Sequence, residues 1–426
     1  GFFFGLFPAW QASRAELQDA MKEGSHASAG AGKQRVRGAL VVAEVAISVI
    51  LLVGSVLMIK SLYRVLHADP GFDAENVMTA GFSLPDAQYG NPDKQRQFVR
   101  ELAERVAANP GVSAVGVMNP LLGGSQTGYV VQGRPMPKPG ESPSTDITIV
   151  TPGALEAMGA RLLRGRFLLA SDTETTKPVC VVDDEMARLA WPGQDPLGKQ
   201  IAIRPKKGTK NDPDWMTVVG MIGHVKNYGV DQPSREETYV PYAQIPSGGG
   251  TLIIRSTGGA QGLAKAVRED IRSLDANLPV STARTLDDIV GENVAPRRLS
   301  VVLLSAFAGL ALLLAAVGIY GVMSTIVTQR TNEIGIRIAM GAEPSDVFRL
   351  ILRSGLGLLA VGMAIGLGGA LFVSRFLQTM LFQVAPTDLT AYVSIPALLL
   401  VVALAACAVP ARRAMRVDPI HALRVE

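Results

Sequence analysis

The chain has 426 residues, 48% of them hydrophobic and 18% charged, and carries a formal net charge of +4 at pH 7. So mild a charge makes no case for nucleic acid as a partner, and a mean hydropathy of +0.25 points instead to an oily part averaged with an ordinary polar one. Cys180 lies in a polar region and Cys407 in an apolar run, so the two cysteines are not expected to form a disulfide.

The N-terminal stretch Phe2–Trp10 is apolar but too short to span a bilayer, and it lacks the basic n-region and small-residue cleavage site of a signal peptide. It is followed by a basic amphipathic segment, and Phe7–Gly24 shares Pro8, Ala9, Ala12, Arg14 and Ala20 with Pro410, Ala411, Ala414, Arg416 and Ala422 of Val409–Glu426. Either this is a chance match in Ala-rich sequence, or residues 1–37 hold the tail of a preceding membrane helix and a cytoplasmic linker, the chain being the C-terminal portion of an internally duplicated protein.

Apolar runs follow at Gly38–Ile59, Val301–Ile326, Ser354–Val373 and Ala391–Val409. Each is near the ~20 residues that a helix needs to cross ~30 Å of hydrocarbon. None alternates with period two, so a barrel is not expected. Lys33, Arg35 and Arg37 precede the first run, Arg330 and Arg337 lie between the second and third, and Arg412, Arg413 and Arg416 follow the fourth. The positive-inside rule makes these segments cytoplasmic, with both termini inside and the region 60–300 outside, along with the short loop Gln378–Leu389. The expected fold is thus an α-helical membrane protein with four transmembrane helices and a large α+β extracytoplasmic domain inserted between helices 1 and 2. Glu44 lies about two turns into the first run, where a bare carboxylate is costly. It is expected to face other helices, paired with a base or protonated.

Within the outer region, Arg100–Val112 (RELAERVAANPGV) resembles Arg268–Val280 (REDIRSLDANLPV). Each reads as a charged amphipathic helix and a turn, with strand-like runs before it (Val77–Leu84, Thr251–Ser256) and after it (Ser113–Met118, Ser281–Thr285). Two such strand-helix-strand units could pair into one α+β layer flanking an inserted strand-rich subdomain at about 145–244. Alternatively, helix-turn-strand joints are common and these two are alike by coincidence.

No catalytic constellation emerges. His26, His67, His224 and His421 are scattered without metal-ligand spacing, and Asp183-Asp184-Glu185 reads as a solvated helix start. Gly193–Gln200 (GQDPLGKQ) fits a phosphate loop until its last position, where Gln200 replaces the Ser or Thr that would hold Mg²⁺. No metal and no cofactor are expected.

Between the second and third apolar runs, residues 329–346 carry the sharpest signal. Glu333 and Arg337 stand at i and i+4 in a helix-compatible run, Ile334 and Ile338 share a neighbouring face, and Gly341 is placed to end the helix. Pro344, Ser345 and Asp346 then punctuate a turn. The segment is either a solvated connector or a docking helix for a cytoplasmic partner. In the third run, Gly362, Gly366 and Ala370 recur every four residues, a small-residue stripe that permits close helix approach.

The decamer EIGIRIAMGA (Glu333–Ala342), the four-run layout and the tail from Pro410-Ala411-Arg412 to ALRVE resemble the MacB/FtsX-type ABC transporter permeases. ARLLRGRF (Ala160–Phe167) and VVDDEMARLAWPGQDPLGKQI (Val181–Ile201) resemble that family's periplasmic core domain, and the end-to-end repeat resembles its duplicated orphan permeases. The resemblance implies an FtsX-like permease domain over 301–426, with its basic cytoplasmic tail at 410–426. It also implies a coupling segment, Glu333, Ile334, Gly335, Arg337 and Gly341, that receives force from a separate dimeric cytoplasmic ABC ATPase, which binds the ATP. The expected protein is a non-enzymatic permease subunit of the cell inner membrane, in contact with membrane lipid. It would be paired with a missing N-terminal permease half or a second permease copy and would work in export or efflux. An FtsX-like signal transmitter that activates an outer partner without transport is the alternative. A ligand-sensing receptor is a third reading, but the short tail after Ala411 offers no output domain.

Overall fold

The structure is a computed structural model that describes residues 26–138, 141–203, 214–233, 235–329, 333, 336–337, 340 and 343–414. The repeat partner Phe7–Gly24 and the tail beyond Ala414 lie outside the described residues. The chain divides into two compact units, one made of residues 1–64 with 297–426 and the other of Val65–Pro296.

In chain order the elements begin with α1 (His26–Leu66), β1 (Val77–Ser83), α2 (Asp86–Tyr89), α3 (Pro92–Ala107), β2 (Val112–Asn119), β3 (Ser125–Val131), β4 (Ser144–Val150), α4 (Ala154–Met158) and β5 (Leu162–Gly165). They continue with β6 (Val179–Asp183), α5 (Asp184–Ala190), β7 (Gln200–Ile203), β8 (Met216–Ile222), β9 (Glu237–Pro241), β10 (Gly249–Ser256), α6 (Ala264–Leu274) and β11 (Arg284–Thr285). Three long helices follow: α7 (Leu286–Gln329), α8 (Pro344–Leu377) and α9 (Leu389–Ala414).

Within Val65–Pro296 the strands form one sheet in the order β11-β1-β10-β2-β4-β3-β7-β8-β6-β9, with β5 on β8 and a further β4–β9 pairing. Both of the similar strand-helix-strand segments contribute to its first layer, where β10 lies between β1 (Val77↔Arg255) and β2 (Thr251↔Met118), all antiparallel. Strand alternation sorts the side chains between two cores. Met78, Val117, Leu252 and Ile254 face α3 and α6, which turn Phe98, Val99, Leu102, Val106, Val267 and Ile271 inward. Val77, Met118 and Ile253 face the opposite core, which includes Ala154, Leu155 and Met158 of α4. The start of α3 is fixed by Asn91, whose side chain accepts from the Asp93 N–H at 2.8 Å, with Pro92 inside the first turn. The C-terminal one of the two segments ends more weakly than its sequence suggests: after α6 only Arg284–Thr285 is strand, apart from a single bridge between Phe82 and Val280.

Beyond β2 the pairings close on themselves, because β4 meets β3 on one side and β9 on the other. The strands β4-β3-β7-β8-β6-β9 therefore make a closed circuit of six. This part starts earlier than about 145, since β3 already belongs to it, and it is not separate from the first layer: Met118 and Asn119 of β2 pair with Val150 and Ile149 of β4. Its core holds Tyr129, Ile147, Cys180, Val182, Ile201, Met216 and Val240, with Met186 and Trp191 alongside.

Among its described residues the other unit contains four helices long and apolar enough to cross a membrane, over Arg35–Leu66, Val294–Gln329, Leu352–Met380 and Leu389–Arg412. All overrun the apolar runs seen in the sequence. A helix keeps its backbone hydrogen bonds whether or not its side chains are oily, so hydropathy marks the span and not the helix end. In α9 the helix passes through both Pro396 and Pro410. The most enclosed helix is α1: half of its apolar window is buried, against 17–22% for the other three. Val45, Val49 and Leu57 of α1 are fully enclosed in a core shared with Met323, Leu359, Leu399 and Cys407.

Candidate helix-packing and coupling site

The small residues of α8 lie against α1. A Cβ on Gly362 would stand 2.7 Å from the Val45 Cβ, and one on Gly366 would stand 2.7 Å from the Val49 Cβ and 2.9 Å from the Ala46 carbonyl oxygen. Ala370, one turn on, is 2% exposed. Gly368 faces open space, so the requirement belongs to one face of the helix. Close approach of this kind is how helices gain dispersion contacts where no water is released.

Glu44 points its Oε2 at Gly318 of α7, where a Cβ would be 2.3 Å away. That oxygen is buried and meets no hydrogen-bond partner, so among the described residues the structure gives Glu44 no basic partner there. One turn on, Ser48 returns its hydroxyl to the Glu44 carbonyl at 2.7 Å. The α1–α7 contact continues through a Ser55–Ser305 hydroxyl pair at 2.8 Å.

A junction that sequence reading missed ties the last turns of α1 to the α8–α9 loop. Lys60 donates to Asp388 at 2.8 Å and to the Thr390 hydroxyl, while the Ser61 hydroxyl accepts from the Phe382 N–H at 2.9 Å. Asp388 also caps α9, accepting from the Ala391 N–H at 3.2 Å. The Lys60 ammonium, helped by Thr390, holds the Asp388 carboxyl down at about 2.

Of the proposed coupling residues, Glu333 and Arg337 are described and exposed, while Ile334, Gly335 and Gly341 lie outside the described residues. Ile336 is 47% and Met340 83% exposed, and the Met340 N–H donates to the Ile336 carbonyl at 2.9 Å. Pro344, Ser345 and Asp346 correct the expectation of a preceding turn: they are the first turn of α8 itself. Proline suits that place because the first helical N–H has no partner to lose. The Asp346 side chain accepts the Glu343 N–H at 3.3 Å across this start.

In the α+β unit the segment that resembles a phosphate loop leads into strand β7 and not into a helix, and Lys199 donates to Gln194 at 3.1 Å. The N-terminal dipole and free N–H groups that would cradle a phosphate are therefore not built there. The helix start at Asp183-Asp184-Glu185 is real but its first residue is not solvated. Asp183 is completely buried, caps α5 by accepting the Met186 N–H at 2.7 Å, and contacts His224. Nothing in the local pattern signals this, because the two residues are 41 apart in sequence.

Among the described residues, four helices of membrane length and an α+β unit in one chain are the architecture of a polytopic membrane protein. Residues 39–274 match the MacB-like periplasmic core domain and residues 305–419 match the FtsX-like permease C-terminal family. The chain belongs to the MacB/FtsX-type ABC transporter permeases. It is 30% identical over 284 residues to the macrolide export ATP-binding/permease protein MacB of Hahella chejuensis, a match covering 63% of this chain and 41% of that one. It is 27% identical over 293 residues to the pyoverdine export ATP-binding/permease protein PvdT of Pseudomonas putida, covering 62% of this chain and 40% of the relative. The chain thus spans about two fifths of the length of these curated relatives. The crystal structure of the periplasmic region of MacB from Actinobacillus actinomycetemcomitans aligns with 16% identity and a TM-score of 0.36, covering 55% of this chain and 98% of that one.

Proposed function

We propose that this chain is the permease subunit of an ABC export system. On this reading it lies in the inner membrane with both termini cytoplasmic, and Val65–Pro296 forms an extracytoplasmic domain inserted between the first two spans. It has no ATPase site of its own. A separate cytoplasmic ATPase dimer hydrolyses the ATP, and the spans transmit the resulting motion outward. A second permease half, on the same chain or as another copy, completes the assembly, with lipid around it. Support for export comes from the names of the relatives, which join export and permease, and support for the orientation comes from the basic clusters flanking the spans on one side.

The observation that carries the reading is the exposed patch Glu333, Ile336, Arg337 and Met340 in the connection between α7 and α8. Met340 at 83% exposure is an unusual surface for a plain solvated connector and suits an apolar groove on a partner. An exposed charge contributes under ~1 kcal/mol to its own fold. Across a protein interface, losing one partner of a desolvated pair costs roughly 2–5 kcal/mol of binding. Arg337→Glu is therefore expected to leave membrane insertion and thermal stability unchanged while abolishing co-purification of the cognate ATPase. Undiminished recovery of that ATPase would remove the coupling assignment.

A further inference from the structure

Three strands of the closed circuit, β4, β6 and β9, carry a set of buried acids that the proposed transport role does not use. Glu237 on β9 is 1% exposed. Its Oε1 accepts from the Thr148 hydroxyl of β4 at 2.5 Å, and its Oε2 accepts from the Tyr239 hydroxyl at 2.6 Å and from the Asn227 amide. Asp183, at the end of β6, is 0% exposed and bound to the His224 Nδ1. Asp146 of β4 is 2% exposed, and one of its oxygens meets no partner. The Nε2 of His224 is also buried without a partner. Three carboxylates thus share an enclosed region with one imidazole. The other charged and titratable groups facing it are Asp184 at the start of α5, the Tyr239 phenol, and Lys226, Tyr228 and Arg235, which line a small recess with Asp146.

The same loop that carries His224 and Asn227 is clasped from two other directions. The Lys226 N–H donates to the Pro70 carbonyl at 2.9 Å, and Gly71, with φ +83°, packs so closely that a Cβ would stand 2.0 Å from the His224 carbonyl oxygen. On the other side the Gly123 N–H donates to the Asn227 carbonyl at 3.0 Å and the Gly124 N–H to the Tyr228 hydroxyl at 2.9 Å. Pro70 and Gly71 belong to the short segment that follows α1 in the chain. Whatever holds residues 224–228 to the sheet therefore also holds the entry into this unit.

We propose that Glu237 and the Asp183–His224 pair, enclosed beside Asp146, form a buried proton-binding site that locks the loop 224–228, and with it the entry segment 69–73, when the surrounding compartment acidifies. A carboxylate trio with one internal cation is over-negative, and adding a proton relieves it without breaking a contact. Protonated Glu237 can turn its hydroxyl toward Thr148, whose own hydroxyl rotates to accept, while Asn227 and Tyr239 keep donating to the other oxygen. Burial, with Asp183 and Asp146 nearby, pushes the Glu237 carboxyl up to about 7 from its ordinary 4.5. The Asp183 contact raises His224 above its ordinary 6.5, and this pair titrates as a unit. Both shifts have one sign, since the folded state binds protons more tightly than the unfolded chain. Stability from Glu237 is lost as pH rises from 4.5 through 7, and stability from His224 is fully present below 6.5 and lost above it, each by at most ~10-fold per pH unit.

The test is hydrogen exchange on the full chain in lipid nanodiscs at about pH 5.5 and pH 8, corrected for intrinsic exchange. Amides of 69–73 and 223–229 are expected to be at least ~10-fold more protected at the lower pH. Glu237→Gln, which keeps the contacts without the charge, is expected to hold these amides protected at both pH values. Equal protection of the wild type at the two pH values, or a full wild-type pH response in Glu237→Gln, overturns the proposal. Should that variant not fold, His224→Gln serves instead: a diminished pH response supports the site and an undiminished one overturns it. None of these readouts depends on export or on an ATPase, so failure here leaves the proposed function standing.

Discussion

In the α+β unit Asp183 and Glu237 are enclosed and each of their oxygens meets a donor, although Asp146 beside them keeps one oxygen bare, whereas in the helical unit the buried Oε2 of Glu44 lies against Gly318 and meets no hydrogen-bond partner. The difference follows from how each architecture spends its polar groups. Strand ends and loops bring side chains and N–H groups from β4, β6, β9 and the loop after β8 to one place. A helix uses its own N–H and C=O groups internally, so a bundle has few donors to lend and accommodates a carboxyl by removing side chain around it.

The comparison breaks most directly at Asp183. Asp183→Ala leaves His224 without its buried partner and α5 without its cap, and breaking a buried pair costs ~3–5 kcal/mol. Thermal unfolding of the full chain followed by aromatic circular dichroism is expected to show a large loss confined to the α+β unit. A change below ~1 kcal/mol would mean that the enclosed pair is not a structural tie.

The next largest effect is expected where the bundle relies on missing side chains. In Gly366→Val the new Cβ would meet the Val49 Cβ and the Ala46 carbonyl oxygen at under 3 Å, and backbone cannot move aside as a rotamer can. Overpacking of this kind costs ~1–3 kcal/mol. Gly368→Val, on the open face of the same helix, is the control and should unfold in detergent at the wild-type temperature. Equal loss in both variants would show that helix propensity, and not the α1–α8 contact, is responsible.

The two kinds of burial were unequally visible in the sequence. The α1–α8 stripe is a four-residue period within one helix, so Gly362, Gly366 and Ala370 could be picked out without knowing what they touch. Amphipathic spacing placed α3 and α6, and composition alone gave the spans, although not their helix ends. The polar ties are long-range: Thr148 and Glu237 are 89 residues apart and Lys60 and Asp388 are 328 apart. Local pattern carries no trace of such pairings, and Asp183 beside Asp184 and Glu185 even reads as solvent-facing. Glu44 stood out because an acid in an apolar run is costly, but its neighbour Gly318 is one glycine among many and gave no signal.

The smallest effect belongs to a place where the bundle does pair an acid. Asp388 is bound by Lys60 and caps α9, with side chains 18% and 34% exposed respectively, so water and ions screen much of the attraction. Asp388→Asn keeps an acceptor for the Ala391 N–H but removes the charge, and is expected to cost under ~1 kcal/mol at neutral pH. The sign of its pH dependence tests whether the charge contributes. The Asp388 carboxyl is held down at about 2 from an ordinary 3.8, so its ionic contribution is fully present above 3.8 and is lost as pH falls through 2. Thermal unfolding of wild type and Asp388→Asn should therefore differ at pH 5, opposite in direction to the Glu237 cluster, which gains stability toward acid. The gap should narrow steadily below pH 3.8 and close near 2. A gap that stays constant down to pH 2 would show that it does not come from the Asp388 charge and would leave Lys60 as a bystander.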